Sequence, residues 1–250
     1  MINVVSCVFI LDSEENSNNK KNDIKRLRLL VNSDNELISS VYNFDDDLKK
    51  VALDKISDIT GTKNVHMEQV YALGDKKYVD KKNLDIIYLG LTNIDNIKNI
   101  KDGYKLVDIM IIDGIVKIGN NVYKYKTIKN TEKSKSNYIH KVNVHNIELE
   151  KILIEILTAY KYLRSRIDNT DIIFNLLPEV FTLEDVRIVY EKIKNINVDK
   201  SNFRKKIQKY LIRNDDIIRS KGYRPATTYR FNREIEEIWL WFLHQIMKER

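Results

Sequence analysis

Cysteine is almost missing from this 250-residue chain: Cys7 stands alone and cannot close an internal disulfide, which fits a reducing cytoplasm. Long apolar runs are missing too. The longest, such as Ile109 to Ile112 and Trp239 to Leu243, fall far short of the ~20 residues that cross a bilayer, so no membrane span is expected. The opening MINVVSCVFILD has no basic stretch before its apolar run and no small-residue cleavage site after it, and reads as a first strand and not a signal peptide. Histidine is scarce. His66, His140, His145 and His244 lack metal-ligand spacing, and Ser220-Lys221-Gly222 lacks the glycine pattern of a phosphate loop. Neither a metal nor a cofactor is expected, and no internal repeat is visible.

What is present describes an ordinary globular protein, with 43% hydrophobic and 32% charged residues, long enough for one large domain or two modest ones. Heavy use of Ile, Lys and Asn suggests an AT-rich coding sequence and hence a bacterial source. The net charge is +7, and its location says more than its size. Between Asp199 and Arg233 eleven basic residues face three acids, so this segment alone holds an excess as large as the whole chain's.

Val4 to Leu11 and Arg26 to Val31 read as strands joined by the polar insert SEENSNNKKND, a long hairpin loop. Asp47 to Thr60 has helical spacing, with Leu48, Val51, Ala52, Ile56 and Ile59 on one side and Gly61 as the stop. Strand-like stretches follow at Val65 to Leu73, Asn83 to Leu91, Leu106 to Ile112 and Val122 to Ile128, giving an α+β pattern. The polar stretch Thr131 to Val144 marks a domain boundary, placing residues 1–143 in one domain and 144–250 in another. A long amphipathic helix then runs from about Asn146 to Ile167.

In Pro178 to Phe231, Thr182 and Asp185 form a capping-box pair at the start of a helix that turns Leu183, Val186, Val189, Tyr190 and Ile193 inward. Asp199 caps a second helix with Phe203, Ile207, Tyr210 and Leu211 inward. Its remaining positions, Lys200, Ser201, Asn202, Arg204, Lys205, Gln208 and Lys209, form a polar, basic free face. Arg and Lys suit phosphates and guanine; Asn and Gln suit adenine edges. Asp216 to Arg219, a turn at Gly222 and Thr227 to Phe231 complete a hairpin offering Lys221 and Arg224 to a backbone. Helix, turn, basic helix and hairpin make a winged helix-turn-helix for double-stranded DNA. The plainer reading is a helical lobe with a merely solvated basic face.

ALDKISDITG, ending at Gly61, can be laid under the Nudix box, G-x5-E-x7-R-E-U-x-E-E-x-G. Ile56 and Gly61 match. The first Gly falls on Ser40, the first Glu on Asp46, the Arg on Asp54, and the other three Glu on Lys55, Asp58 and Ile59. In the box, acids at i, i+3 and i+4 share a helix face and gather divalent cations around a diphosphate. One carboxylate beside an ammonium is a poor site for a hard cation, so hydrolysis by that route is not expected.

MEQVYALGD after the box, NLLPEVFTLEDVRIVYEKI opening the second domain, DKSNFRKKI in the basic helix and RPATTYRF in the hairpin carry a stronger likeness. Over nearly its whole length the chain resembles the Nudix-related transcriptional regulators. The resemblance implies a Nudix-like α/β/α sandwich followed by a winged helix-turn-helix and a C-terminal helix. It further implies a cytoplasmic homodimer whose first domain binds a nucleotide-like or phosphorylated-sugar effector, ADP-ribose being the best-known example. By position, Lys200, Asn202, Arg204 and Lys205 fall in the DNA-facing motif and Arg224 in the wing motif. Two other readings stay open. One is a Nudix-type diphosphate hydrolase gathering metal through Asp46, Asp47 and Asp58. The other is a protein-interaction module built on the tail Asn232 to Arg250, which has helical spacing and an aromatic face around Trp239 and Phe242.

Overall fold

A computed structural model describes residues 1–14, 24–79, 82–129, 138–219 and 226–232. The chain divides into two units, one formed by Met1–Ile10, Leu27–Leu91 and Ile97–Tyr162, the other by Leu11–Arg26, Thr92–Asn96 and Leu163–Arg250.

The first unit is built on strands β1 (Ile2–Glu14), β2 (Ile24–Asn32), β3 (Ile38–Val41), β4 (His66–Leu73), β5 (Leu84–Asn93), β6 (Tyr104–Ile112), β7 (Ile115–Ile118), β8 (Asn121–Lys129) and β9 (Tyr138–Val142), of which the end of β1 from Leu11, the start of β2 to Arg26 and the end of β5 from Thr92 fall in the second unit. They form one nine-stranded sheet in the order β4-β5-β1-β2-β6-β7-β8-β9, with β3 beside β1. Val4 to Leu11 of β1 and nearly all of β5 are buried, as strands covered on both faces must be. Asp113-Gly114 turns β6 into β7, with Gly114 at a φ of 85° that a two-residue hairpin loop needs and a side chain resists.

Helix α1 (Leu48–Thr60) starts where the Asp47 carboxylate accepts the Lys50 N–H at 2.7 Å. It stops at Gly61, left-handed at φ 67°, whose N–H reaches the Ser57 carbonyl at 2.9 Å. Its buried face is Ala52, Ile56, Ile59 and Thr60. Helix α2 (Ile147–Arg166) buries Leu153, Ile156, Leu157, Ala159 and Tyr160, and the Tyr160 ring meets Phe9 of β1 edge-on at 5.9 Å. Asp85 and Tyr88 lie three residues apart on β5 and so on opposite faces of the sheet. Asp85 faces Lys151 of α2, while the Tyr88 hydroxyl is pushed above its ordinary range by burial and, second, by the charge of Asp47 at the head of α1. Layers of helix thus cover both sides.

Polar contacts fasten α2 as well. Glu150 accepts from Lys77 Nζ at 2.6 Å and from Tyr78 OH at 2.9 Å; Tyr162 OH donates to Glu68 at 2.8 Å. Asp85 is held by Lys151 Nζ at 2.5 Å and by Asn3 Nδ2 at 2.8 Å. Glu155 is 2% exposed, its Oε1 accepts no hydrogen bond and the Lys151 ammonium is 4.0 Å away. Burial pushes its carboxyl up to about 7, the Lys151 charge pulling it down and the Asp85 charge pushing it up.

The second unit holds a 3-10 turn at Ile172–Leu176, strand β10 (Phe181–Thr182), helices α3 (Leu183–Lys194) and α4 (Lys200–Ile207), a 3-10 turn at Gln208–Tyr210, and strands β11 (Leu211–Arg219) and β12 (Ala226–Phe231). The strands make a three-stranded sheet in the order β10-β12-β11. Phe174 stacks on Phe231 at 4.3 Å and on Phe181 at 5.6 Å, beside a core of Val186, Val189, Ile193, Ile207, Tyr210 and Tyr229. Among the described residues no helix is long and apolar enough to cross a membrane.

Three expectations need correction. Within the polar stretch Thr131 to Val144, where no strand is expected, Tyr138–Val142 pairs with β8 from Tyr125↔Val142 to Lys129↔Tyr138. The basic helix ends at Ile207; Gln208 to Tyr210 tighten into the 3-10 turn that delivers Leu211 to a strand. The first hairpin strand consequently begins at Leu211 and not Asp216. The insert after Ser13 lies mostly outside the described residues, and the tail helix lies outside them beyond Asn232.

The acid at position 155 keeps its proton in the fold between its ordinary 4.5 and about 7, so folding stability falls as pH rises through that window. The Glu155→Gln variant is expected to exceed the parent at pH ~8 by roughly 3 kcal/mol. The gap should close by pH ~4, as read from thermal unfolding across pH.

Candidate nucleic-acid interface

The local sequence of the second unit sets two helices and a hairpin in series. Thr182 caps α3: its hydroxyl accepts the Asp185 N–H at 3.1 Å and the Asp185 carboxylate takes the Thr182 N–H at 2.8 Å, a complete capping box. Asn195, left-handed at φ 54°, ends α3. Glu191 holds the turn that follows, its Oε1 accepting the Val198 N–H at 2.8 Å. Asp199 then starts α4 by accepting the Asn202 N–H at 2.8 Å.

The amphipathic spacing of α4 decides what it shows. Ile207 is buried and Phe203 half-buried against the Tyr190 ring of α3, with centroids 5.6 Å apart. Lys200, Ser201, Asn202, Arg204, Lys205 and Gln208 are all exposed. Positions 200, 201, 204, 205 and 208 repeat at the spacing of one helix face, so the structure gathers them on the side away from the core. Lys209 lies in the 3-10 turn. Lys221 and Arg224 fall outside the described residues, between β11 and β12. The hairpin itself is registered from Leu211↔Phe231 to Asn214↔Thr228.

Acids that had no place in the sequence reading brace this platform. Arg187 sits between Glu184, at 2.6 Å, and Glu191, at 2.5 Å. The bonds to Glu184 are the main cause that raises its guanidinium further above its already high range. Glu184 also meets Lys200 at 3.2 Å. Their i, i+3 and i, i+4 spacing was the available signal. Lys194 and Tyr190 both bond Asp168.

The box residues lie in the first unit. Ser40 is on β3, paired with Val4. Asp46 holds Lys50 at 2.6 Å and Asp54 is exposed on α1. Lys55 Nζ sits 5.7 Å from the centroid of the Tyr104 ring. The Asp58 carboxylate is bound by Lys101 at 3.0 Å, and Ile59 is fully buried. Among the described residues no three His, Cys, Asp or Glu cluster as a metal site.

Comparison with known proteins matches this geometry. Residues 173–231 fit the family model for the NrtR DNA-binding winged helix domain. Among curated proteins no sequence matches. The fold resembles Shewanella oneidensis NrtR complexed with a 27mer DNA at a TM-score of 0.63 and 15% identity, over 92% of this chain and 93% of that one. It resembles S. oneidensis NrtR in another crystal structure at 0.59 and 16%, with the same coverage. A MutT/nudix family protein from Enterococcus faecalis gives 0.61 and 15%, over 92% and 87%. The chain therefore shares the fold of these structures, a Nudix-like domain followed by a winged helix. The part that fits a family model, residues 173–231, is similar to the winged helix of NrtR.

Removing the cap at the head of α4 tests how firmly the exposed face is held. In Asp199→Ala, loss of about 1 kcal/mol of cap energy is expected to speed amide exchange across residues 200–207 about five-fold, with the β11/β12 pairing unchanged.

Proposed function

We propose that this chain is a transcriptional regulator that binds double-stranded DNA through α4 and the wing, and whose Nudix-like domain senses a nucleotide-like or phosphorylated-sugar metabolite without cleaving it. The carrying observation is the exposed Lys200, Ser201, Asn202, Arg204, Lys205 and Gln208 face, set in a segment that fits a DNA-binding winged helix model along its length. Lys205 and Arg204 supply cations for phosphate or guanine, and Asn202 and Gln208 the paired donor and acceptor that suit adenine. The likeness of fold to a protein crystallised with a 27mer DNA supports the same role. Lys221 and Arg224 are assigned to backbone contacts from the wing. A homodimer would set two α4 helices one DNA turn, ~34 Å, apart.

The sensing role follows from the chemistry at α1. Lys55 over Tyr104, Asp58 bound by Lys101, and Ile59 in the core leave the metal-binding face of the box with one carboxylate, already paired, which supports binding without hydrolysis. ADP-ribose is the first effector to try, on the strength of the family resemblance. The hydrolase reading has less behind it: Asp46 holds Lys50, Asp47 caps α1 and Asp58 holds Lys101, so each candidate ligand is already engaged.

Fluorescence anisotropy with DNA from the region upstream of the protein's own gene is expected to show salt-dependent binding. Lys205→Ala should weaken it uniformly across sequences and reduce the salt slope by about one. Binding that ignores salt, or a Lys205→Ala variant identical to the parent, would sink the regulator reading. ADP-ribose should shift the DNA affinity and be recovered intact after incubation with Mg²⁺ or Mn²⁺; turnover abolished by Asp58→Ala would establish an enzyme instead.

A further inference from the structure

We propose that Lys25, at the start of β2, is a positioning residue for the DNA-reading helix, acting through Asp185 at the head of α3. The inference rests on the DNA-binding reading and adds to it a residue that touches no DNA.

Lys25 is 4% exposed. Its ammonium lies 3.2 Å from Asp185 Oδ1 and donates to Ser13 Oγ at 2.9 Å. Lys25, Ser13 and Asp185 all belong to the second unit, whose Leu11–Arg26 segment comprises the end of β1 and the start of β2. Asp185 divides its two oxygens: Oδ1 faces Lys25, while Oδ2 accepts both the N–H and the hydroxyl of Thr182 at 2.8 Å. A capping box needs no cation, so Lys25 answers a separate demand. A buried ammonium is costly unless paired, and here its partner is the carboxylate that fixes the first turn of α3. Burial pushes the Asp185 carboxyl up, but the Lys25 charge and the Thr182 bonds outweigh it and hold it below the usual carboxylate range.

From that turn the path to DNA is short. Thr182 pairs with Thr228 of the wing strand β12. Glu184, next to Asp185, meets Lys200 on α4. Glu191, two turns on, holds Val198 before α4 begins. One carboxylate therefore ties the β1/β2 segment to the wing and to the helix that carries α4. Releasing the ammonium leaves Asp185 half-served and loosens both.

The test uses the full chain, its upstream DNA, and Lys25→Met, which keeps the apolar stem and removes the charge. Far below the melting temperature, DNA affinity is expected to drop about ten-fold, within the usual range for coupling between separate sites, with the salt slope unchanged because a buried ammonium neutralises no phosphate. Amide exchange at residues 182–185 should rise. Lys25→Met with Asp185→Asn should be no weaker than the worse single variant. If Lys25→Met does not fold, Ser13→Ala takes its place, with an expected two- to three-fold loss (about half of one decade) and again an unchanged slope. Parental affinity in a folded Lys25→Met or in Ser13→Ala overturns the inference and leaves the regulator reading standing. A reduced slope overturns it by showing direct phosphate contact. A parent chain that binds no DNA defeats the regulator reading itself.

Discussion

Covering both faces of β1 and β5 is the demand on which the first unit depends. Val4 to Leu11 and Ile86 to Leu91 are apolar almost without interruption, and an interior strand of that kind is stable only with a layer on each side. Helix α2 supplies one layer with Leu153, Ile156, Leu157 and Tyr160, and α1 supplies the other with Ala52, Ile56 and Ile59. This explains why α1 needs its cap, its apolar stripe and its closing glycine whatever residues stand on its exposed side. The packing role of α1 is independent of metal chemistry, and Lys55 and Asp58 on its other side contact Tyr104 and Lys101.

The second unit answers a different constraint. A short basic helix repels itself and has little apolar surface, so its position has to come from outside. α4 gains it from Ile207, from the Tyr190–Phe203 contact, and from Glu184 and Glu191 on α3. Those acids also set the electrostatics, since Glu184 engages Lys200 and leaves Arg204 and Lys205 as the more available cations on the exposed face. The result is a positively charged surface held by negatively charged supports behind it.

Much of this was legible in the sequence where the signal is local. Caps at Thr182 and Asp199, the stop at Gly61 and the apolar stripes of α1 to α4 each rest on residues within a turn or two of one another, and all appear in the fold. What escaped has little local signature. β3, β7 and β9 are four or five residues long, too short for alternation to stand out, and β9 hides in a polar run because an outer strand need not be apolar. The end of α4 was missed because Gln208 to Leu211 continues the helical spacing, yet pairing of Leu211 with Phe231 draws it into the sheet. Of the interface residues, those on α4 follow from periodicity. Lys25 could not be found this way, since its partner lies on a distant element and nothing in the neighbouring sequence marks it.

Ile59 carries a consequence for the history of such a chain. A lineage selected for divalent-cation chemistry at the box positions would need acids at both 55 and 59. The change at 55 is inexpensive, because Lys55 is only half-buried. The change at 59 inserts an ionisable group where the side chain is wholly enclosed, at a cost of several kcal/mol, comparable with the whole stability margin of a typical domain. Neither step alone assembles a cation site, so selection has nothing to favour halfway. A hydrocarbon at this position works as a barrier: a chain that carries one changes its exposed contacts far more easily than it gains a buried carboxylate.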